Sequence, residues 1–280
     1  MSTVIGVTSK DLLLPAPDQH TPAGLVLPAP DQQPLDQALS TAWAALEAVG
    51  HLVVLVPAGL PDEHRRRLHA IRSLLETDRM ALVEVDLPPL ALALLARQLR
   101  QISRYDLGPG VLASAARLLA HYLHAGAVLS SVTGLDRLEV GLGPHLRSWL
   151  PGARFAVLAA PAATLTTLGP HTRLPGPDYP THLALAAHGL ADEWVRSRLG
   201  PEWNCGHVSE FALPQDSARW WGTARLVEFA AYIEDVGVLY QLVTSAHRAH
   251  CRCCGLELVG DRCAFCACPA TEPAEHGAVP

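Results

Sequence analysis

Lysine is almost absent from this chain: Lys10 is the only one among 21 basic side chains. Beside abundant Ala, Leu, Gly and Pro, the arginine bias reflects a GC-rich bacterial coding sequence rather than a chemistry. Charge of either sign is scarce, at 17% of residues, and the formal net charge is −6. Neutralising several phosphates requires a basic surface, so bulk binding to nucleic acid is disfavoured. The densest basic stretch is His64-Arg65-Arg66-Arg67, with Arg72 and Arg79 beyond. Asp62, Glu63, Glu76 and Asp78 offset it, so it reads as a solvated helix face.

Long apolar runs are missing too. The greasiest segment, 111–132, is interrupted by Arg117, His121 and His124, which argues against a membrane-spanning helix. The first residues show no basic stretch followed by a continuous apolar core, so no signal peptide is expected. These absences predict a cytoplasmic chain, in a compartment that keeps thiols reduced. Catalytic signatures are lacking as well: no GxxxxGK[ST], no GxGxxG after a strand and no GxSxG. Gly141-Leu-Gly143 is a fragment of a glycine-rich loop without its third glycine.

What is present is an apolar body. Hydrophobic residues make up 49% of 280, enough for a sizeable core in one large domain or two smaller ones. Residues 1–34 are proline-rich and hold a near-duplication, Leu12-Leu-Leu-Pro-Ala-Pro-Asp-Gln19 echoed by Leu25-Val-Leu-Pro-Ala-Pro-Asp-Gln32. Proline fixes φ and removes a donor, so both copies are expected to be extended. A tandem docking motif is one reading, and two similar strand-to-turn segments is the simpler one.

From Leu35 an alternation begins. Leu35, Leu39, Ala42/Trp43, Leu46 and Val49 share one helical stripe. His51-Leu-Val-Val-Leu-Val56 suits a buried strand. A helix follows over 61–76, a strand over 80–85, and helices from Pro88-Pro89 to about Arg100 and over 111–124. Further strands are expected over 127–132, 137–140 and 155–159. After a Gly/Pro-rich loop over 169–180, helices are expected over 181–199 and 223–247. Strands alternating with helices predict an α/β body over 35–246 with a mostly parallel sheet, ending in a long amphipathic helix. The remainder divides into a cysteine-rich module, 247–268, and a disordered tail, 269–280.

Cysteine is concentrated at one end: of seven, only Cys205 lies outside 251–268. Two CxxC pairs, Cys251/Cys254 and Cys263/Cys266, are separated by eight residues. That is metal-ligand spacing, and tetrahedral zinc suits it best. Gly255 after the second cysteine can take φ > 0 and turn backbone amides toward the sulfurs. Leu256 to Val259 reads as a short strand and Gly260-Asp261 as a turn. Arg248, Arg252 and Arg262 supply positive charge beside the thiolates.

This segment resembles the short zinc ribbon, two cysteine knuckles around a small hairpin. The resemblance covers 251–268 only and implies Cys251, Cys254, Cys263 and Cys266 as ligands of one structural Zn²⁺. The second knuckle departs from the pattern, with Ala267 where glycine is usual. Cys253 and Cys268 are surplus, and His247 and His250 stand close by, so a set such as His250 with three cysteines stays open. Four thiolates leave no position for water, which makes a structural zinc the expectation over a catalytic one.

Other candidates carry less. Cys205-Gly-His207, with Glu202 and Glu210 nearby, could form a nucleophile–base pair or a second metal site, although residues two apart seldom face each other and an ordinary loop is the simpler reading. His121 and His124 fall one helical turn apart, while His182 and His188 do not share a helix face. Gly108-Pro-Gly110 opens a helix whose N-terminus could receive an anion. Of the adjacent Trp220 and Trp221, one is expected to pack inward and the other to offer a surface. The leading expectation is a cytoplasmic accessory protein whose zinc ribbon contacts another protein. The rivals are an α/β enzyme with polar loops at Asp106, Asp136, Asp178 and 205–210, and a nucleic-acid-binding regulator.

Overall fold

The apolar runs that read as strands form two sheets with helices between and outside them. The structure is a computed structural model and describes residues 3–14, 21–137 and 153–270. Gly141-Leu-Gly143, the strand expected beyond Arg137, Pro15 to Gln19 of the first duplicated copy, and the tail after Ala270 lie outside the described residues.

The first sheet is wholly parallel. It contains β1 (Thr3–Val7), β2 (Leu25–Val26), β3 (His51–Pro57) and β4 (Met80–Val85), in the order β2-β1-β3-β4. Leu52 to Val56 are buried on both faces, which is why β3 is a continuous apolar run rather than an alternation. Helices α1 (Leu35–Val49) and α2 (Asp62–Leu74) cover one face, where Leu46, Leu68 and Ile71 meet Leu52 and Val54. The other face receives α3 (Pro89–Ile102) and α4 (Pro109–Ala120), each with proline in its first turn.

The second sheet lies beyond those two helices. It comprises β5 (His124–Leu129), β6 (Phe155–Ala160), β7 (Thr164–Thr167), β8 (His182–His188), β9 (Val208–Glu210) and β10 (Leu226–Tyr232). Their order is β7-β6-β5-β10-β8-β9, antiparallel except for β8 beside β9. Its inner face is lined with small residues, Ala125, Ala184, Ala186 and Ala230, in one core with Val53, Val83 and α3. The missing bulk lets α3 sit between the sheets, and every one of its 14 residues is buried. Larger side chains, Leu185, Val227 and Phe229, face outward onto Trp203 and Leu199.

Two expected helices are corrected. The segment 181–199 is β8 followed by a π-helical turn, Val195–Leu199. Leu183 to Ala186 have helix propensity, but pairing with β9 and β10 buries all four, and tertiary context prevails. The single long helix over 223–247 is instead β10 and a short helix, with α5 (Ser217–Trp221) before them and α6 (Val236–Ser245) as that helix. All seven residues of β10 are buried between β5 and β8, so apolar residues there imitate a helical period. The break is at Asp235, whose side chain accepts from the Gly237 and Val238 amides and caps α6. Of the described residues of the duplicated segment, Leu12 ends a 3₁₀ turn (Lys10–Leu12) while its counterpart Leu25 pairs with β1.

Candidate functional site

Parallel strands present their C-terminal ends to a crevice, and ligands of open α/β sheets bind there. Here the chain leaving β1, β3 and β4 meets the loops after β5 and before α5 around a cavity of about 310 Å³. Leu12, Leu60, Leu87 and Leu92 give it an apolar floor, and Trp220 forms one wall. Its polar lining is Asp11, Asp136, Arg137, Asp216 and Arg219. Arg137 crosses the mouth, 3.7 Å from Asp86 and with its guanidinium 5.6 Å above the Trp220 ring. Gly59 permits this, because a Cβ there would overlap the guanidinium. Arg219 is exposed and paired with Asp216 at 2.9 Å.

Behind the cavity stands a fully buried acid. Glu228 on β10 accepts from the Leu90 amide in the first turn of α3 and from the Ser217 hydroxyl of α5. Burial pushes its carboxyl up to about 7, and the two hydrogen bonds only partly offset that. Glu228 therefore ties the helix between the sheets to the short helix that carries the cavity wall. It gave no sequence signal beyond an acid inside an apolar run.

The other predicted residues separate. Asp136 lines the cavity, and of the two tryptophans Trp221 is buried while Trp220 faces the cavity. His124 opens β5 and bonds Tyr179, so it does not share a helix turn with His121. The Cys205 thiol contacts Thr181 at 3.6 Å and burial raises its pKa, while His207 lies beside His182, so the two residues do not pair, in keeping with the ordinary loop that their spacing favours. At the start of α4 the Glu257 carbonyl lies against Gly110, where a Cβ would overlap it.

The cysteine module is folded onto the body. Its hairpin pairs β11 (Arg248–His250) with β12 (Glu257–Val259), so the first knuckle is the turn, rather than Gly260-Asp261. The two knuckles repeat one geometry. Gly255 has φ +72° and its amide bonds the Cys251 carbonyl at 3.1 Å; Ala267 has φ +60° and bonds Cys263 at 3.0 Å. Alanine thus adopts the left-handed conformation in which glycine was expected. The sulfurs of Cys251, Cys254, Cys263 and Cys266 lie within 4.8 Å of one another, so the cluster can hold a metal ion. Three of their separations are 3.3, 3.7 and 3.8 Å. Cys253 and Cys268, expected as reduced surplus thiols, form a disulfide linking the knuckles. Cys251, Leu258, Cys263 and Phe265 belong to the main core, and Arg72 donates to the Phe265 carbonyl. Arg248 is paired with Glu257 and Arg262 bonds the Ala267 carbonyl, which spends two of the three arginines suggested for nucleic acid.

Known proteins resemble this chain in structure. A fatty-acid-binding DegV family protein from Thermus thermophilus matches 83% of this chain and 100% of its own, with a TM-score of 0.58 at 11% identity. The fatty acid kinase B3 protein of Streptococcus pneumoniae, loaded with linoleic acid, matches 84% of this chain and 100% of its own, at TM-score 0.53 and 13% identity. A DegV family protein from Corynebacterium glutamicum matches at TM-score 0.57 and 11% identity, over 83% of this chain and 98% of its own. The fold is the DegV fold. No protein-family model and no curated protein matches the sequence.

The DegV likeness corrects the leading functional expectation. A zinc-ribbon interaction protein would draw its role from the terminal module. Instead the two-sheet body carries the architecture, one that is described in several solved structures as fatty-acid-binding or fatty-acid-loaded. The cysteine module is a docked appendage to it. No helix among the described residues is long and apolar enough to cross a membrane.

Proposed function

We propose that this chain binds a long-chain fatty acid in the cavity at the C-terminal ends of β1, β3 and β4. The observation that carries the reading is the cavity itself: an apolar floor of leucines beneath Arg137 and Arg219, in a fold whose solved examples hold fatty acids. About ten buried methylenes contribute roughly 8 kcal/mol, which alone corresponds to micromolar affinity. The carboxylate loses hydration on entry, and the two guanidiniums at the mouth offset that cost. A protein partner fits this reading, since one structural neighbour is described as a fatty acid kinase protein. Native mass spectrometry of the chain with oleate tests it. A 1:1 adduct is expected, weakened about tenfold by Arg137→Gln combined with Arg219→Glu. A folded chain that forms no adduct at hundreds of micromolar oleate overturns it.

The cysteine cluster supports a second, separate reading: Cys251, Cys254, Cys263 and Cys266 hold one structural zinc. A tetrahedral ion with Zn–S bonds of about 2.3 Å needs sulfur separations of roughly 3.8 Å, and the separations of 3.3 to 3.8 Å here approach that. Metal analysis of the purified chain is expected to find about one zinc per molecule. A metal-free chain with four freely titratable thiols besides Cys205 overturns the assignment.

A further inference from the structure

The six sulfurs of the cysteine module fall into two overlapping groups. Cys251, Cys254, Cys263 and Cys266 lie within 4.8 Å of one another, and so do Cys253, Cys266 and Cys268. Cys266 belongs to both, so one thiol of the metal-ligand set sits beside the disulfide that links the knuckles. Backbone pairing fixes this arrangement. The Cys263 amide bonds the Cys268 carbonyl at 2.9 Å, the Arg252 amide bonds that of Pro269 at 3.3 Å, and the Ala270 amide bonds that of Asp261 at 2.8 Å. Residues 268–270 are thereby folded back over both knuckles.

The sulfurs also differ in access. Cys251 and Cys263 are buried, Cys254, Cys266 and Cys268 are half-buried, and Cys253 is exposed. Thiol–disulfide exchange requires a thiolate within reach of a disulfide sulfur, and it neither consumes nor releases electrons. A cysteine that ligates a metal does so as a thiolate. Of the four ligand candidates, Cys266 alone shares a group with the disulfide sulfurs.

We propose that the cysteine module is a metal-gated disulfide exchanger: when the metal leaves, the Cys266 thiolate attacks the Cys253 sulfur and the bridge moves from Cys253–Cys268 to Cys253–Cys266. The old S–S bond breaks as the new one forms, and its electron pair departs on Cys268 as a thiolate, so neither oxidant nor reductant is consumed. Attack on Cys268 instead would close a bridge across Ala267 alone, whereas Cys253–Cys266 joins the two knuckles as the present bridge does. The product has lost one of four ligands, so metal and exchanged bridge exclude each other. The gate rests on the zinc reading of the same cluster; the exchange step rests on the placement of the three sulfurs.

Non-reducing peptide mapping by mass spectrometry, after alkylation with N-ethylmaleimide, reads the bridge. The full chain is saturated with zinc, treated with one equivalent of diamide to complete the bridge, freed of reagent and divided. In zinc, Cys253–Cys268 is expected as the sole bridge. After chelation, Cys253–Cys266 is expected in at least about a fifth of the molecules within hours, the timescale of uncatalysed rearrangement. The count of five free cysteines stays the same. Returning zinc should restore the first bridge, as Cys268 attacks Cys253 in reverse. Cys266→Ser should hold the bridge at Cys253–Cys268 throughout, while Cys254→Ser, which removes a ligand and leaves the attacking sulfur, should exchange on chelation as the parent does. A chain that binds zinc and keeps its bridge at Cys253–Cys268 after chelation overturns the exchange and leaves the zinc reading standing. A chain that takes up no zinc overturns that reading and the gate with it. Bridges spread evenly over Cys251, Cys254 and Cys263 would be general scrambling, and overturn the assignment to Cys266.

Discussion

Glu228 shows how one residue couples the layers. It is buried in the middle strand of the second sheet, yet its carboxyl holds the α3 amide of Leu90 and the α5 hydroxyl of Ser217. Burial raises its pKa from 4.5 to about 7, so the folded chain holds this proton more tightly than the unfolded one. Its contribution to stability is therefore fully present below pH 4.5 and is lost as pH rises toward 7. The difference amounts to about 3 kcal/mol between pH 4 and pH 8. Glu228→Gln keeps an acceptor for Leu90 and cannot ionise, so urea unfolding should find the variant more stable than the parent at pH 8 and nearly equal at pH 5. An unchanged difference across that range would show that the carboxyl is not the titrating group. Ala267 allows a second test at this scale. It holds φ +60° in a knuckle otherwise matched by Gly255, so Ala267→Gly is expected to raise thermal stability by the equivalent of about 1 kcal/mol.

At the scale of elements, legibility in the sequence followed burial. Helix α1 and strands β3 and β4 were readable because one-sided helices and short apolar runs bounded by Pro and Gly admit one interpretation each. Strands β8 and β10 were not, since a strand buried on both faces loses its period of two and borrows whatever spacing its bulky residues happen to have. Asp235 was the signal that could have divided β10 from α6. The four-cysteine cluster was legible from spacing alone, while the cavity was not, because Leu12, Leu60, Leu92 and Trp220 meet only after both sheets form. Gly110 belongs to this scale. It lets β12 lie against the first turn of α4, where a Cβ would overlap the Glu257 carbonyl. Gly110→Ala raises helix propensity by up to 1 kcal/mol, yet is expected to lower net stability by about 1–3 kcal/mol through that overlap. Faster protease cleavage near residue 247 would identify the displaced contact as the cause.

For the molecule as a whole, the decisive feature is that body and cysteine module share one core. Cys251, Leu258, Cys263 and Phe265 are buried in the same cluster as α3 and the first sheet, and the Phe265 ring meets His51 edge-on at 5.7 Å. A module tethered by a linker would lose its metal without consequence for the rest. Here, the zinc proposed for the four thiolates would contribute its binding free energy to the stability of the whole if it binds only the folded chain. The Cys253–Cys268 disulfide closes a 15-residue separation across the same module, and a loop of that length contributes about 3 kcal/mol by restricting the unfolded chain. The two constraints are redundant, so removing either alone leaves the knuckles linked. Chelation is therefore expected to lower the Tm modestly in oxidising buffer and by a larger amount once a reductant is added. All six tryptophans precede residue 247, so their fluorescence reports the body and not the module. A tryptophan transition that moves to lower temperature on chelation under reducing conditions is the expected outcome. A transition that stays in place while the metal is lost would mean that the cysteine module unfolds by itself, and that the shared core does not couple it to the two sheets.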